Sequence, residues 1–444
     1  MRFPSYSSEW HSYTLGEILT FYSTNSFSRE KLNYDTGSVK NIHYGDIHTK
    51  FPSIVSVSDN KDIPFINNEI DLSKYSEDQY LQNGDLIIAD ASEDYEDIGK
   101  AIEVKNIDDE KVLAGLHTIL ARDNNNITVN GFKAYLFSTN SLKTKIKIIA
   151  NGISVLGISK NSLSKLTVNV PSKNEQNDVV DFISLIDNKI ELLEQKHQYY
   201  LDFKKFLMQQ IFTQKLRFDF SDEWKIVKLE SLIKKGKAGG TPSSTNSDYY
   251  NGDIPFLSIR DMTDQGKYIV KTEKTITEEG LNNSSAWIIP KNSLLYSIYA
   301  SIGLVAINRS DISTSQAIYG IILKDGVSLE YMYYYLTYFK KNIHKYIETG
   351  TQGNLNAKLL KSFEILLPSL GEQEMIVNVL SIVDEKIENS KKEIEKINEF
   401  KKGLLQQMFV VRINWRCNFK LVKSPSFNKH LLILKNKIIF IIIK

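Results

Sequence analysis

Glu103 and Lys105, with Asp90 or Asp97 upstream, have the composition of a metal-dependent nuclease centre, two acids beside a lysine. The pattern is short, and a chain with 24% charged residues produces it by chance. Other catalytic apparatus is missing from the sequence. No Gly-x-x-x-x-Gly-Lys-Ser/Thr loop offers backbone amides to a nucleotide, and no Gly-x-Gly-x-x-Gly opens a helix after a strand. Asn169-Val170-Pro171 falls short of the Asn-Pro-Pro-Tyr motif with which amino-methyltransferases grip a base. No Gly-x-Ser-x-Gly elbow or Cys–His pair supplies a nucleophile. The seven histidines show no metal-ligand spacing, and the single cysteine, Cys417, excludes an internal disulfide and a thiolate metal site. These absences favour a binder over an enzyme, with no metal and no cofactor of its own.

The elements that would position a binding surface show in an internal repeat. Shifted by 197 residues, 170–212 falls on 367–409 without a gap, and 17 of the 43 pairs are identical. Chance would give about a twentieth to a fifteenth, so the chain carries a duplication. Pro171/Pro368, Ser172/Ser369, Glu175/Glu372, Gln176/Gln373, Asp187/Asp384 and Lys204/Lys401 are among the identities. Each copy reads as one long helix. Ser172 with Glu175, and Ser369 with Glu372, form capping boxes, and the preceding prolines prevent an earlier start.

Inside the helices, apolar residues recur at alternating steps of four and three. Ile186, Ile190, Leu193, Leu207 and Ile211 mark the seam of the first, with His197, Tyr200 and Lys204 interrupting it. Val383, Ile387, Ile394, Ile397, Leu404 and Met408 mark the second, interrupted by Ser390 and Lys401. A heptad seam needs a partner helix. The same pattern suits an amphipathic helix packed on its own domain, but two copies with one seam favour pairing with each other. Helices of this length span roughly 57 Å and act as spacers.

Between the helices the correspondence is looser. Glu9, Trp10 and Leu15 match Glu223, Trp224 and Leu229, and Arg2-Phe3 resembles Arg217-Phe218, as if the chain were circular. The expected units are a globular segment at 1–165, a helix at 166–212, a second globular segment at 213–368, a helix at 369–409 and an atypical tail at 410–444. Asp85 to Ala89, Ser293 to Tyr299 and Ile318 to Leu323 read as strands between turns, and Leu329 to Tyr346 as a helix whose tyrosines belong to a core. The fold class is α+β: two similar mixed α/β domains separated by two long antiparallel coiled-coil helices with pseudo-twofold, circular organisation.

Net charge is +2, yet 410–444 holds eight basic residues and no acid, so the first 409 residues stand at −6. A globally basic nucleic-acid binder is excluded, whereas a local basic surface is not. Residues 112–165 carry seven basic residues and one acid, and 59–111 carry five basic residues and sixteen acids. The first stretch suits DNA; the second would face away from phosphate. No secretory signal follows Met1, so a cytoplasmic location is expected. The tail ends in an apolar run too short to span a bilayer comfortably; appended out-of-frame or read-through sequence, with no membrane partner, is the expectation, and a membrane-surface contact is the weaker alternative.

With these features in place, the chain resembles the specificity subunit of type I restriction-modification systems. The resemblance rests on helices opening Pro-x-x-x-Glu-Gln and closing Gln-Gln-x-Phe, and on Trp10 and Trp224. It rests also on Gly252-Asp253-Ile254-Pro255-Phe256 running to Ile259-Arg260-Asp261-Met262, Ile289-Pro290, and His43-Tyr44-Gly45-Asp46-Ile47-His48 in the first half. It covers about 1–409. It implies two target-recognition domains reading the halves of a bipartite site in double-stranded DNA, and helices that fix the spacer and dock two methyltransferase subunits. S-adenosylmethionine, ATP and Mg would belong to those partners and to the restriction subunits. The DNA-binding candidates in the matching loops are His43, Tyr44, His48, Lys50, Ser258 and Arg260. Gln352 and Asn354 join them because amides pair bidentately with adenine. A nuclease or methyltransferase acting alone lacks its motifs; a coiled-coil scaffold would leave two divergent globular halves unexplained.

Overall fold

The computed structural model describes residues 3, 5–58, 60–299, 301–345 and 355–409. The tail 410–444 and Arg2 lie outside them. The chain forms two compact units, Met1–Leu193 with the chain from Glu393 onward, and Glu194–Lys392. The boundaries fall inside the two long helices, Lys173–Phe212 and Leu370–Met408. Among the described residues no helix is long and apolar enough to cross a membrane.

The first unit is built on a five-stranded sheet in the order Thr20–Tyr22, Thr118–Arg122, Leu86–Ala89, Ala101–Lys105, Ile54–Ser56. All neighbours are antiparallel except the last pair. Strand side chains alternate in direction, and here both faces are covered. Leu86, Ile88 and Ile119 pack against Phe132, Tyr135, Ile186 and Leu404. Ile87, Ala89 and Leu120 pack against Ile42, Ile47 and Phe51. Strand His11–Thr14 pairs with Thr167–Val170, so the start of the chain meets the residues that lead into the first long helix. Trp10 lies edge-on to Phe409, ring centres 6.1 Å apart.

The second unit repeats this plan. Its sheet runs Ile233–Ala238, Ile318–Leu323, Leu294–Ser297, Val305–Asn308, Tyr268–Ile269, again antiparallel until the parallel last pair. Lys225–Lys228 pairs with Glu364–Leu367. Leu294, Tyr296, Tyr319 and Ile321 pack against Tyr331, Leu207, Ile211 and Val383. The tyrosine helix spans Leu329–Phe339, and Tyr331, Tyr333, Tyr334 and Tyr335 are all buried in this core, as their spacing predicts.

The long helices begin where the prolines and serines place them: Gln176 N–H donates to the Ser172 carbonyl and Gln373 N–H to that of Ser369, each at 2.9 Å. The two glutamines fasten each helix to its unit in the same way. Gln176 donates to Pro171 O at 2.9 Å and accepts from Val129 N–H at 2.8 Å. Gln373 donates to Pro368 O at 3.0 Å and accepts from Ser328 N–H at 2.9 Å. The buried Glu372 carboxylate receives the Arg217 guanidinium at 2.9 Å.

In the second unit the helices pack antiparallel: His197 Nδ1 meets Ser390 Oγ at 2.8 Å, and Lys204 Nζ meets Asp384 Oδ1 at 2.6 Å. In the first, Lys401 pairs with Asp187. Most seam residues are buried, including Ile186, Ile190, Leu193, Leu207, Ile211, Val383, Leu404 and Met408. Ile387, Ile394 and Ile397 are half-buried.

Candidate nucleic-acid interface

In the first unit the strand Lys40–Ile42 runs parallel to Val112–Ala114 and feeds the short helix Tyr44–Thr49. His43 caps that helix, its Nδ1 accepting from Gly45 N–H at 3.2 Å. Burial, with the Arg29 charge nearby, lowers its pKa to about 4, so it remains a neutral acceptor at physiological pH. Tyr44 lies among three imidazoles, its ring centre 4.7 Å from His43, 5.8 Å from His48 and 5.3 Å from His117. His48 Nε2 is 3.1 Å from the Ala91 carbonyl. Lys50 donates to the Tyr34 hydroxyl at 2.8 Å and lies 3.3 Å from Asp46.

The second unit places strand Tyr250–Leu257 parallel to Ser313–Thr314 and feeds the helix Ile259–Gln265. Ser258 caps it: its Oγ accepts from Asp261 N–H at 3.3 Å, and Asp261 Oδ2 accepts from Ser258 N–H at 2.9 Å. Arg260, in the first turn, is 77% exposed and only 3.7 Å from Asp264. Gln352 and Asn354 lie outside the described residues. Of the other six candidates, then, His43 and Ser258 hold helix starts, His48 meets a backbone carbonyl, and Tyr44, Lys50 and Arg260 keep solvent-facing surface.

The basic run 112–165 is only in part the positive face its composition suggests. Arg122 is buried in a bidentate pair with Asp85, and Lys133 is buried 2.9 Å from Glu103. Lys147 pairs with Glu96 at 2.5 Å, while Lys145 and Lys160 donate to the carbonyls of Thr167 and Tyr22. Acids from 59–111 thus pair with three of the seven bases of 112–165, two of the pairs buried inside the unit. The same contacts explain Glu103: it binds Lys133 and the amides of Gly131 and Ala134, and burial is the main cause that raises its pKa. It is a structural carboxylate.

One feature escaped the sequence reading. A tight turn, Leu116-His117 in the first unit and Gln316-Ala317 in the second, joins the strand alongside the short helix to the sheet strand Thr118–Arg122 or Ile318–Leu323. His117 is 52% exposed, and Gln316 is exposed too. Gly115 before a β-branched run hints at a turn, but nothing local marks the residues as exposed.

Two mixed α/β units whose five-stranded sheets share one strand order, each packed on parts of two long helices, define a class of duplicated two-unit protein. Residues 7–199 and 221–399 match the family model described as the type I restriction modification DNA specificity domain, and the chain belongs to that family. It is 34% identical over 210 residues to the type I restriction enzyme MjaIX specificity subunit of Methanocaldococcus jannaschii, a match spanning 46% of each chain. With the HindI specificity subunit of Haemophilus influenzae it shares 25% identity over 464 residues, covering 86% of this chain and 95% of that one. In fold it is similar to the S subunit of a type I restriction-modification system from M. genitalium, at TM-score 0.52 and 13% identity, with 93% of this chain and 100% of that chain covered. Both sequence relatives are named as specificity subunits of type I restriction enzymes.

Proposed function

We propose that this chain is the DNA sequence-specificity subunit of a type I restriction-modification complex in the cytoplasm. Each recognition domain, 1–165 and 213–368, reads one half of a bipartite, asymmetric site. The helices at 166–212 and 369–409 set the unread spacer and dock two methyltransferase subunits. Those subunits supply S-adenosylmethionine chemistry, and restriction subunits supply ATP- and Mg-dependent cleavage; this chain supplies recognition. The observation that carries the reading is the duplication itself: the same strand order and the same glutamine fastening occur in both units, so the scaffold presents two comparable surfaces. DNA suits such a protein because each stretch of groove can be read separately.

The test is to co-express the chain with the methyltransferase subunit from its own locus and map adenine methylation across the host genome by single-molecule sequencing. A two-part motif with a fixed gap is expected. A soluble complex that methylates no motif, or no complex at all, would overturn the assignment, and the second result would favour a scaffold.

A further inference from the structure

The turns at 116–117 and 316–317 hold equivalent places, and their supporting bonds correspond. Gly115 N–H donates to Ile42 O at 2.8 Å, and Ser315 N–H to Leu257 O at 3.2 Å. Asp90 N–H donates to His117 O at 3.0 Å, and Ile298 N–H to Ala317 O at 2.8 Å. On this shared frame each unit exposes one polar side chain able to read a base edge: His117 from the second position of its turn, Gln316 from the first.

The two are prepared differently. His117 adopts φ 53°, in the left-handed region that histidine visits more readily than most non-glycine residues. Tyr44 meets its ring edge-on, and Asp90 Oδ1 lies 3.5 Å from Nδ1. With an Nδ1 proton facing Asp90, Nε2 is left as an acceptor, suited to the amino groups of adenine or cytosine in the major groove. In the second unit the Thr241 hydroxyl donates to Gln316 Oε1. That leaves the amide Nε2 as a donor, suited to guanine O6 or N7 or to thymine O4. Buried polar atoms without a protein partner, among the described residues, also sit at the parallel strands behind these turns: Asn41 Nδ2 in the first unit, Ser313 Oγ and Thr314 Oγ1 in the second. Such groups are normally paired.

We infer that His117 and Gln316 are specificity-determining residues, each contacting a base in a different half-site. The inference rests on the DNA-reading function proposed above. Its test uses the complex of full-length chain and methyltransferase subunit, with the methylated motif mapped for wild type, His117→Asn and Gln316→Ala. Asparagine tolerates positive φ, so the first substitution keeps the turn. A third variant, Lys324→Ala, changes an exposed residue at the end of strand Ile318–Leu323 opposite the second turn, and in the other unit from the first turn.

His117→Asn should weaken discrimination at a base of one half-site on the order of ten-fold, leaving the other half and the gap intact. Gln316→Ala should do the same to the other half, and Lys324→Ala should change neither. A wild-type motif that survives both turn substitutions overturns the inference while the functional reading stands. A wild-type complex with no two-part motif overturns the reading, and the inference with it. If a turn variant lost all methylation, half-site binding by that purified complex decides: retained affinity for the unaffected half supports the assignment, and equal loss for both halves overturns it.

Discussion

In the first unit Asp187 receives Lys401 and the Tyr135 hydroxyl, the latter at 2.9 Å. In the second, Asp384 receives Lys204 at 2.6 Å and the Tyr334 hydroxyl at 2.5 Å. The partners exchange helices between the two cases: the acid comes from one helix, the lysine from the other, and the tyrosine from a globular segment. Yet the second site also has Lys267, which donates to the Tyr334 hydroxyl at 2.8 Å and lies 4.0 Å from Asp384. At the turns 116–117 and 316–317 the difference is larger, a histidine beside tyrosine and aspartate in one unit and a glutamine beside threonine in the other. Duplication preserved what holds the helices and changed what faces outward. That is the pattern expected when the scaffold serves both halves equally and the surfaces serve different targets.

The most severe way to break the equivalence is to put charge into each core. Leu207 belongs to the core of the second unit and Leu404 to that of the first, and both are buried. Leu207→Asp and Leu404→Asp should each cost about 3–5 kcal/mol, combining lost apolar burial with an unpaired buried carboxylate. Chemical denaturation would measure the loss, and pull-down of the methyltransferase subunit would show weakened assembly. If one variant assembled normally while modifying a different DNA sequence, the helices would be part of base reading and not of the frame.

A sharper comparison removes the lysines. Lys401→Met and Lys204→Met each take an ion-pair partner from a mostly buried aspartate, with an expected cost of about 1–3 kcal/mol. The loss should be smaller for Lys204→Met, because Lys267 remains near Asp384. Equal losses in thermal unfolding would show that Lys267 does not compensate.

How much of this was legible depended on the distance over which the cause acts. The helices, their starts and their seam follow from residues three or four positions apart, and so does burial of the tyrosine helix. Ser258 as a cap was also readable, since Ser258-x-x-Asp261 is a capping signature. The basic run misled because Arg122 and Lys133 find Asp85 and Glu103 some thirty or more residues away in the chain. The same applies to His117: its exposure depends on strands 40–42 and 112–114 lying side by side, which no local pattern encodes.

A smaller effect should separate the units by pH. His43 is lowered to about 4 from 6.5 because the folded state buries it beside Arg29; Asp46 and His117 also act on it. The unfolded chain therefore binds more protons between these values. The stability His43 contributes is full above pH 6.5 and is lost as pH falls from there toward about 4. His43→Asn keeps a good cap without the titration, so its stability should fall less steeply over that range in pH-dependent unfolding. Ser258 holds the equivalent position with a hydroxyl that does not titrate, and Ser258→Asn should leave the pH profile unchanged.

The smallest effect belongs to Arg260. With 77% of its side chain exposed and Asp264 at 3.7 Å, it contributes little to folding, since exposed pairs of this kind are worth about 0.3–0.5 kcal/mol. Arg260→Ala should leave the unfolding midpoint nearly unchanged. If the arginine contacts a phosphate, the slope of log affinity against log salt should become shallower by about one, with the recognised sequence unaltered. If it contacts guanine instead, one base of the second half-site should lose discrimination, and Arg260 would stand beside Gln316 as a reader. Gly45 occupies the same position after the cap in the first unit and has no side chain for either role, so the complementary variant Gly45→Arg tests whether the first unit can accept a charge where the second has one.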